Sequence, residues 1–413
     1  MQMMYACCAG LDVHKDSVFV CVRRMSSDGK VSEEIRVFGT KTGQLLALGD
    51  WLVSKGVTHA AMESTGVYWK PIWNLLEDRV KLILVNAKHI KQVPGRKTDV
   101  KDCQWIAQLL QFGLLKASFV PDRPQRELRD LTRQRSQLVA DHSRVANRIQ
   151  KTLEDANIKL GSVASDVLGV SSRQMLQALI QGNCSAQHMA ELARGRMRSK
   201  VPQLAEALDG RVNEHHRFML KMLMEQVASL EKQIEAFDQR IEQVMGPFEK
   251  AAVGQLDGMP GVNQRAAQNI IAEIGTDMSR FADAEHLASW AGLSPGNNQS
   301  AGKRKSGRIP HGNRWLKSTL VQCSWGAARK KDSFWMGRYQ RISRRRGAKR
   351  AAVAVAHSQL RVIYELLKTG EEYREMDAGR LQHQDADRLK DTLVARLEKM
   401  GYKVDLRPKA DAA

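Results

Sequence analysis

The stretch Cys8-Ala9-Gly10-Leu11-Asp12-Val13-His14-Lys15 runs apolar and then stops at an acid and a polar turn. Closed by His14-Lys15-Asp16, it predicts a hairpin of Tyr5–Asp12 with Ser17–Arg23. Working outward, Ser32–Gly39 reads as a third strand and Leu45–Ser54 as a helix. His59–Glu63 reads as a strand, Tyr68–Asp78 as a helix and Lys81–Val85 as a buried strand. Asp99–Phe112 reads as a further helix with Trp105, Ile106, Leu109 and Leu110 on one side. A hairpin meander followed by α/β alternation predicts a mixed sheet with helices on its faces.

Four acids sit at the ends of these elements. Asp12 ends the first strand, Glu63 ends Thr58-His59-Ala60-Ala61-Met62, and Asp99 and Asp102 lie three apart at the start of a helix. Singly, each has an ordinary reading. Asp99 suits a helix start, where negative charge meets the dipole; Asp12 suits a turn and Glu63 an exposed strand end. Jointly, acids from two strand ends and one helix turn can hold two hard divalent cations through oxygen ligands. A pair of such ions clamps a phosphodiester while attacking and leaving oxygens exchange.

The charge balance agrees with that chemistry. In 413 residues, expected to form two or three domains, the formal net charge is +20. Such an excess attracts a polyanion without specifying its sequence. A membrane surface is the rival partner, but no apolar run reaches spanning length and Met1-Gln2-Met3-Met4-Tyr5 has no charged signal region. The six cysteines, Cys7, Cys8, Cys21, Cys103, Cys184 and Cys323, lack zinc-site spacing and read as reduced core thiols.

After Pro121 and Pro124 a long polar helix carries Arg126, Arg129, Arg133, Arg135, Arg144 and Arg148, and residues 161–210 read as short helices. Leu220, Leu223, Val227, Leu230, Ile234, Phe237, Ile241 and Val244 then alternate steps of three and four, the seam of a coiled coil. Its partner is either another subunit or an internal helix. Leu256-Asp257-Gly258-Met259-Pro260-Gly261-Val262-Asn263 reads as a helix-hairpin-helix, whose glycine-bearing turn lets backbone N–H groups reach a phosphate; an ordinary αα-corner is the alternative. Between residues 301 and 350 stand sixteen Lys or Arg and one acid, Asp332, interleaved with Trp315, Trp325, Trp335, Phe334 and Tyr339. An excess of this size over fifty residues points to phosphate contact.

Gly10-Leu11-Asp12-Val13-His14-Lys15, Met62-Glu63-Ser64-Thr65-Gly66-Val67-Tyr68 and Arg96-Lys97-Thr98-Asp99-Val100-Lys101-Asp102 resemble motifs of the DEDD transposases of bacterial insertion sequences. These form the IS110 family of bridge-RNA-guided recombinases. Gly258-Met259-Pro260-Gly261, Gly292-Leu293-Ser294-Pro295, Gln299-Ser300-Ala301-Gly302-Lys303 and Gly312-Asn313-Arg314-Trp315-Leu316-Lys317 resemble that family's C-terminal transposase domain. The likeness runs from about residue 8 to 370, in family order.

The resemblance implies an RNase H-like (RuvC-like) α/β domain over residues 1–158, with Mg²⁺, as two ions, on Asp12, Glu63, Asp99 and Asp102. A helical and coiled-coil region follows over 159–250, then a mainly α transposase domain over 251–370 and a tail over 371–413. Ser300 would be the nucleophile, with Ser294 and Ser306 as nearby competitors. Arg96, Lys97, Lys303, Arg304, Arg308, Arg314, Arg344, Arg345 and Arg346 would contact nucleic acid. The implied partners are DNA (element ends and target), a structured guide RNA and further copies of the chain in a dimer or tetramer, in the bacterial cytoplasm beside the nucleoid. Two other readings stand beside it: a RuvC-like Holliday-junction nuclease that uses water, and a non-catalytic nucleic-acid-binding protein.

Overall fold

In the computed structural model, residues 3–26, 28–86, 99–182, 184–296, 298–300, 303–375 and 393–405 are described. The chain divides into two compact units, Met1–Arg123 and Pro124–Ala413. Five strands make the sheet of the first: β1 (Cys7–Val13), β2 (Ser17–Met25), β3 (Val31–Gly39), β4 (His59–Glu63) and β5 (Lys81–Val85), in the order β3-β2-β1-β4-β5. The hairpin β1–β2 and the pair β2–β3 are antiparallel, whereas β1–β4 and β4–β5 are parallel. This mixed sheet, with β1 at its centre, is consistent with the RNase H-like arrangement.

Period-two alternation gives the sheet two unlike faces. Ala9, Leu11, Val13, Val18, Val20, Val22, Ala60, Met62 and Leu84 bury one face under two helices, α1 (Thr42–Ser54) through Leu45, Leu48, Trp51 and Leu52, and α2 (Trp69–Leu76) through Ile72 and Leu76. On the opposite face Cys8, Ala61 and Val85 meet Ile106 and Leu110, while Cys21 meets Cys103 and Ala107. Those partners belong to helix α3 (Asp99–Gln111). Small residues let α3 come very close: a Cβ on Gly10 would stand 2.2 Å from the Cys103 carbonyl oxygen and 2.4 Å from the Ala107 nitrogen.

The second unit is helical. Helix α4 (Arg123–Asp155) and helix α5 (Glu214–Val244) are long, with short helices between them. The seam Leu220, Leu223, Val227, Leu230 and Ile234 is buried, with Phe237 partly so, against Leu138, Val145, Ile149 and Leu153 of α4 and Met175, Leu176 and Leu179 of a short helix. Its partners therefore lie within the same chain. Helices α6 (Pro247–Asp257) and α7 (Gln264–Ile274) flank the turn read as a hairpin, and Asn263 caps α7 by accepting from the Ala266 N–H at 2.9 Å. Then come α8 (Ala284–Trp290), the strand pair β6 (Asn298–Ser300) and β7 (Lys303–Ser306), and helices α9 (Arg314–Ala327), α10 (Phe334–Arg346) and α11 (Ala348–Thr369). All six cysteines are free, and Cys8, Cys21, Cys103 and Cys323 are buried. Among the described residues no helix is long and apolar enough to cross a membrane.

Gly10→Ala is expected to lose about 1–3 kcal/mol, the usual cost of overpacking a tight contact. Urea denaturation of the full chain, read by circular dichroism, measures it; an unchanged midpoint would show that α3 is not seated at Gly10.

Candidate active site and basic surface

The parallel register pairs Leu11 of β1 with Met62 of β4, so Asp12 and Glu63 come next to each other at the carboxyl ends of neighbouring strands. Ligands of open α/β sheets bind outside such strand ends. By alternation Asp12 shares the face of Cys8 and Gly10, and Glu63 that of Ala61, which is the face covered by α3. Helix α3 crosses Gly10 at Cys103 and Ala107, so its first turn, with Asp99 and Asp102, is carried toward those ends. Burial first, and then the charge of Asp12, push the Cys103 thiol of that helix up to about 11.

Asp12 is 13% exposed, and its Oδ2 lies 3.0 Å from His14 Nε2. Glu63 and Asp102 are half-buried. Ser64 N–H donates to the Val85 carbonyl at 2.9 Å, fixing the chain as it leaves Glu63. Among the described residues no group of three or more His, Cys, Asp or Glu side chains is gathered tightly enough to hold a metal ion. Asp12, Glu63 and Asp102 thus share one end of the sheet without closing on a point. The side chain of Asp99 falls outside the described part, as do Arg96 and Lys97 altogether.

Ser300 ends β6 at the turn of a small antiparallel hairpin, paired in register with Lys303; the side chains of Ser300, Lys303 and Arg304 are outside the described part. The base of this hairpin is closed twice. Gly296 N–H donates to the Arg308 carbonyl at 3.1 Å. Below it Gly292, at φ +73°, packs on Gly312 so closely that a Cβ on Gly312 would stand 2.3 Å from the Gly292 nitrogen. The two competing serines lie off the turn: Ser306 Oγ accepts from Arg308 N–H at 3.2 Å, and Ser294 follows α8.

Next in the chain, Asn313 Oδ1 caps α9 by accepting from the N–H groups of Trp315 and Leu316 at 3.0 and 3.1 Å, which leaves Nδ2 to donate to Glu273 Oε2 at 2.5 Å. Glu273 has a side-chain exposure of 2% and also accepts two parallel bonds from Arg133, at 2.7 and 2.8 Å. Arg129 donates to the carbonyls of Ala272 and Glu273. Burial, partly offset by Glu273, brings the Arg129 guanidinium down to about 10. Arg135, also buried, donates to Asp238, Gln268 and Asn269. The helix that reads as uniformly polar therefore spends Arg129, Arg133 and Arg135 inside the protein. Nothing in the local sequence separates these arginines from Arg126 or Arg148, because their partners lie more than a hundred residues away.

The basic tract divides in the same way. Arg308, Arg314, Arg344, Arg345 and Arg346 are exposed, and Arg314 lies over the Trp315 ring at 4.7 Å. Trp335 and Phe334 are core residues, with Trp335 Nε1 donating to Tyr373 Oη at 2.9 Å. Trp325 remains partly exposed, its ring 5.5 Å from that of Tyr339.

Two family models match the chain: one described as a transposase (DEDD, IS110) over residues 9–158, and one described as the transposase IS116/IS110/IS902 family over 254–358. The chain is 24% identical over 324 residues to a probable family 20 transposase of Pseudomonas aeruginosa, covering 76% of this chain and 85% of that one. It is 27% identical over 310 residues to the insertion element IS110 43.6 kDa protein of Streptomyces coelicolor, covering 69% and 75%. To the transposase for insertion sequence element IS1111A of Coxiella burnetii it is 22% identical over 299 residues, covering 70% and 72%.

Glu273→Ala is expected to cost about 3–5 kcal/mol, since it leaves two arginines without their buried carboxylate. Thermal unfolding of the variant beside Glu273→Gln measures it; a loss below about 1 kcal/mol in the Ala variant would mean that water readily replaces the carboxylate.

Proposed function

Because this chain belongs to the IS110/IS116 family of DEDD transposases, we propose that it moves an insertion sequence by metal-dependent cleavage and exchange of DNA strands through a serine nucleophile, guided by a structured RNA. The observation that carries this reading is the register that sets Asp12 beside Glu63 on the face crossed by the first turn of α3. The donor set fits a hard divalent cation: Asp12, Glu63, Asp99 and Asp102 offer carboxylate oxygen only, the ligand type that Mg²⁺ prefers. When bound, such ions would polarise the phosphodiester and favour the deprotonated form of an attacking hydroxyl.

The remaining steps belong to the chain itself. Ser300 Oγ attacks the phosphorus, a serine–phosphate ester forms, and the bond to a deoxyribose oxygen breaks as that oxygen takes a proton. The ester keeps the free energy of the broken diester, so a hydroxyl from a second strand can displace the serine without a nucleotide cofactor. Ser300 is favoured over Ser294 and Ser306 by its position at the turn of the hairpin, where backbone register leaves it at the tip. The clasp of Gly292 on Gly312 and the chain Arg133–Glu273–Asn313 support a fixed presentation of that tip. Arg308, Arg314, Arg344, Arg345 and Arg346, with Arg96, Lys97, Lys303 and Arg304, would hold phosphates and carry no base preference of their own. Target choice would come from pairing with the RNA, as in other guided systems. Acids and serine belong to different units of the chain, and a dimer or tetramer acting in the cytoplasm of the bacterium would allow one copy to complete the site of another.

A DNA substrate that traps cleaved strands tests the two halves separately. Asp12→Asn and Asp102→Asn are expected to bind DNA with affinity near the native value while strand cleavage falls at least a hundredfold. Chelation of divalent cations should reproduce that loss in the native protein. Ser300→Ala should abolish the SDS-resistant protein–DNA adduct. An adduct that persists in Ser300→Ala refutes the serine assignment, and cleavage without any adduct in the native protein identifies water as the nucleophile.

A further inference from the structure

Helices α10 and α11 pack against each other, and at their contact positive charge meets positive charge. Arg338 of α10 stands close to Arg341, one turn further along the same helix, and to Arg361 of α11, and His357 lies one turn before Arg361. Arg338 is half-buried, and its Nε is enclosed with no hydrogen-bond partner among the described residues. Among the described residues an acid that faces the group is Glu285 of α8, whose Oε1 pairs with Arg361 Nη2 at 2.8 Å. Burial, then Arg341 and Arg361, depress the Arg338 guanidinium. Burial, then Arg361 and Arg338, depress the His357 imidazole, with Glu285 as a partial offset.

A crowd of like charges with an enclosed, unpaired donor disfavours the empty fold. Polar groups placed against stability mark sites whose partner arrives from outside. The partner must be an anion, must accept several N–H bonds at once, and must be compact enough to sit between two helices. A tetrahedral phosphate group meets all three requirements, and guanidinium matches it in geometry as well as charge. We propose that Arg338, Arg341, His357 and Arg361 form a phosphate-binding site that takes one phosphodiester group of the DNA backbone. It rests on the reading of the chain as a DNA-acting transposase and adds a built-in anchor to the exposed arginines Arg344, Arg345 and Arg346 that follow on α10. The exposed cations attract any stretch of backbone, whereas the half-buried Arg338 fixes where one phosphate stops.

The test uses the full chain and Arg338→Met, which keeps the length of the side chain and removes its charge. Without nucleic acid the variant should melt higher than the native protein by about 2 °C or more, since repulsion is relieved. Inorganic phosphate should raise the melting temperature of the native protein and leave that of the variant nearly unmoved. Binding of a duplex, read by fluorescence anisotropy under chelation so that no cleavage occurs, should weaken about tenfold, and its log–log salt slope should shrink by about one. Unchanged duplex affinity and slope, or an undiminished stabilisation by phosphate in the variant, overturns the proposal. Should Arg338→Met fail to fold, Arg341→Gln, on the partly exposed rim, carries the same binding and phosphate tests. Because no strand is cut, a failed serine or metal assignment leaves these readings intact and is scored by the adduct experiment alone.

Discussion

The first unit depends on how closely helix α3 lies on the central strand. With no side chain at Gly10, the backbone of α3 at Cys103 and Ala107 rests on the backbone of β1. That face of the sheet is lined by small residues such as Cys8, Cys21 and Ala61, whereas the opposite face is filled by leucines, valines and Trp51. The asymmetry sets the height of α3 above the sheet. A larger residue under α3 would lift its first turn, and Asp99 and Asp102 would rise with it from Asp12 and Glu63. The thiols beneath add no charge to that end of the sheet. Burial pushes Cys8 and Cys21 up to about 12, so at neutral pH they are small apolar spacers and not competing anions. The N-terminus of α3 contributes a partial positive charge at the end of the sheet that Asp12, Glu63 and Asp102 share.

In the second unit the corresponding constraint is ionic. A carboxylate as deeply buried as Glu273 gains little net stability from its arginines, since desolvation consumes most of the attraction. What it gains is direction. Its oxygens fix Arg133 in a two-bond fork and fix the amide of Asn313, whose other end caps α9. Since Gly312 is both the neighbour of Asn313 and the floor under Gly292, the base of the hairpin that carries Ser300 adjoins this ionic network.

The strands and their order were legible because alternation and punctuation agreed. His59–Glu63 and Lys81–Val85 stand where their apolar runs end, and β1 and β2 differ from expectation by one or two residues at their ends. The placement of Asp12 and Glu63 followed from strand ends alone. Other features were illegible for identifiable reasons. A heptad states that a helix has an apolar stripe and not what covers it; here α4 and the short helices do so down to Ile234. Trp335 amid basic residues gave no sign in the sequence of whether it was core or surface; its indole N–H has a partner in Tyr373 and its ring is buried. The seat at Gly10 could be found only once α3 lay above it, because a lone glycine in a strand has several ordinary explanations.

Arginine shows the limit of composition most clearly. The same residue type appears in three states that a net charge of +20 adds together. Arg133 and Arg135 are tied to acids of the same unit, Glu273 and Asp238, and are held in place by them. Arg344, Arg345 and Arg346 stand in solvent, where salt screens them and any polyanion can use them. Arg338 is in an intermediate position: it is half-buried, its enclosed Nε has no hydrogen-bond partner among the described residues, and Arg341 and Arg361 depress its guanidinium. Only the third state stores free energy that a ligand can release, because only there does arrival of an anion change both repulsion and hydrogen bonding at once. A basic tract becomes a binding surface in a specific sense where folding has left such a group unsatisfied, and the surrounding exposed charges then serve to bring the backbone to it.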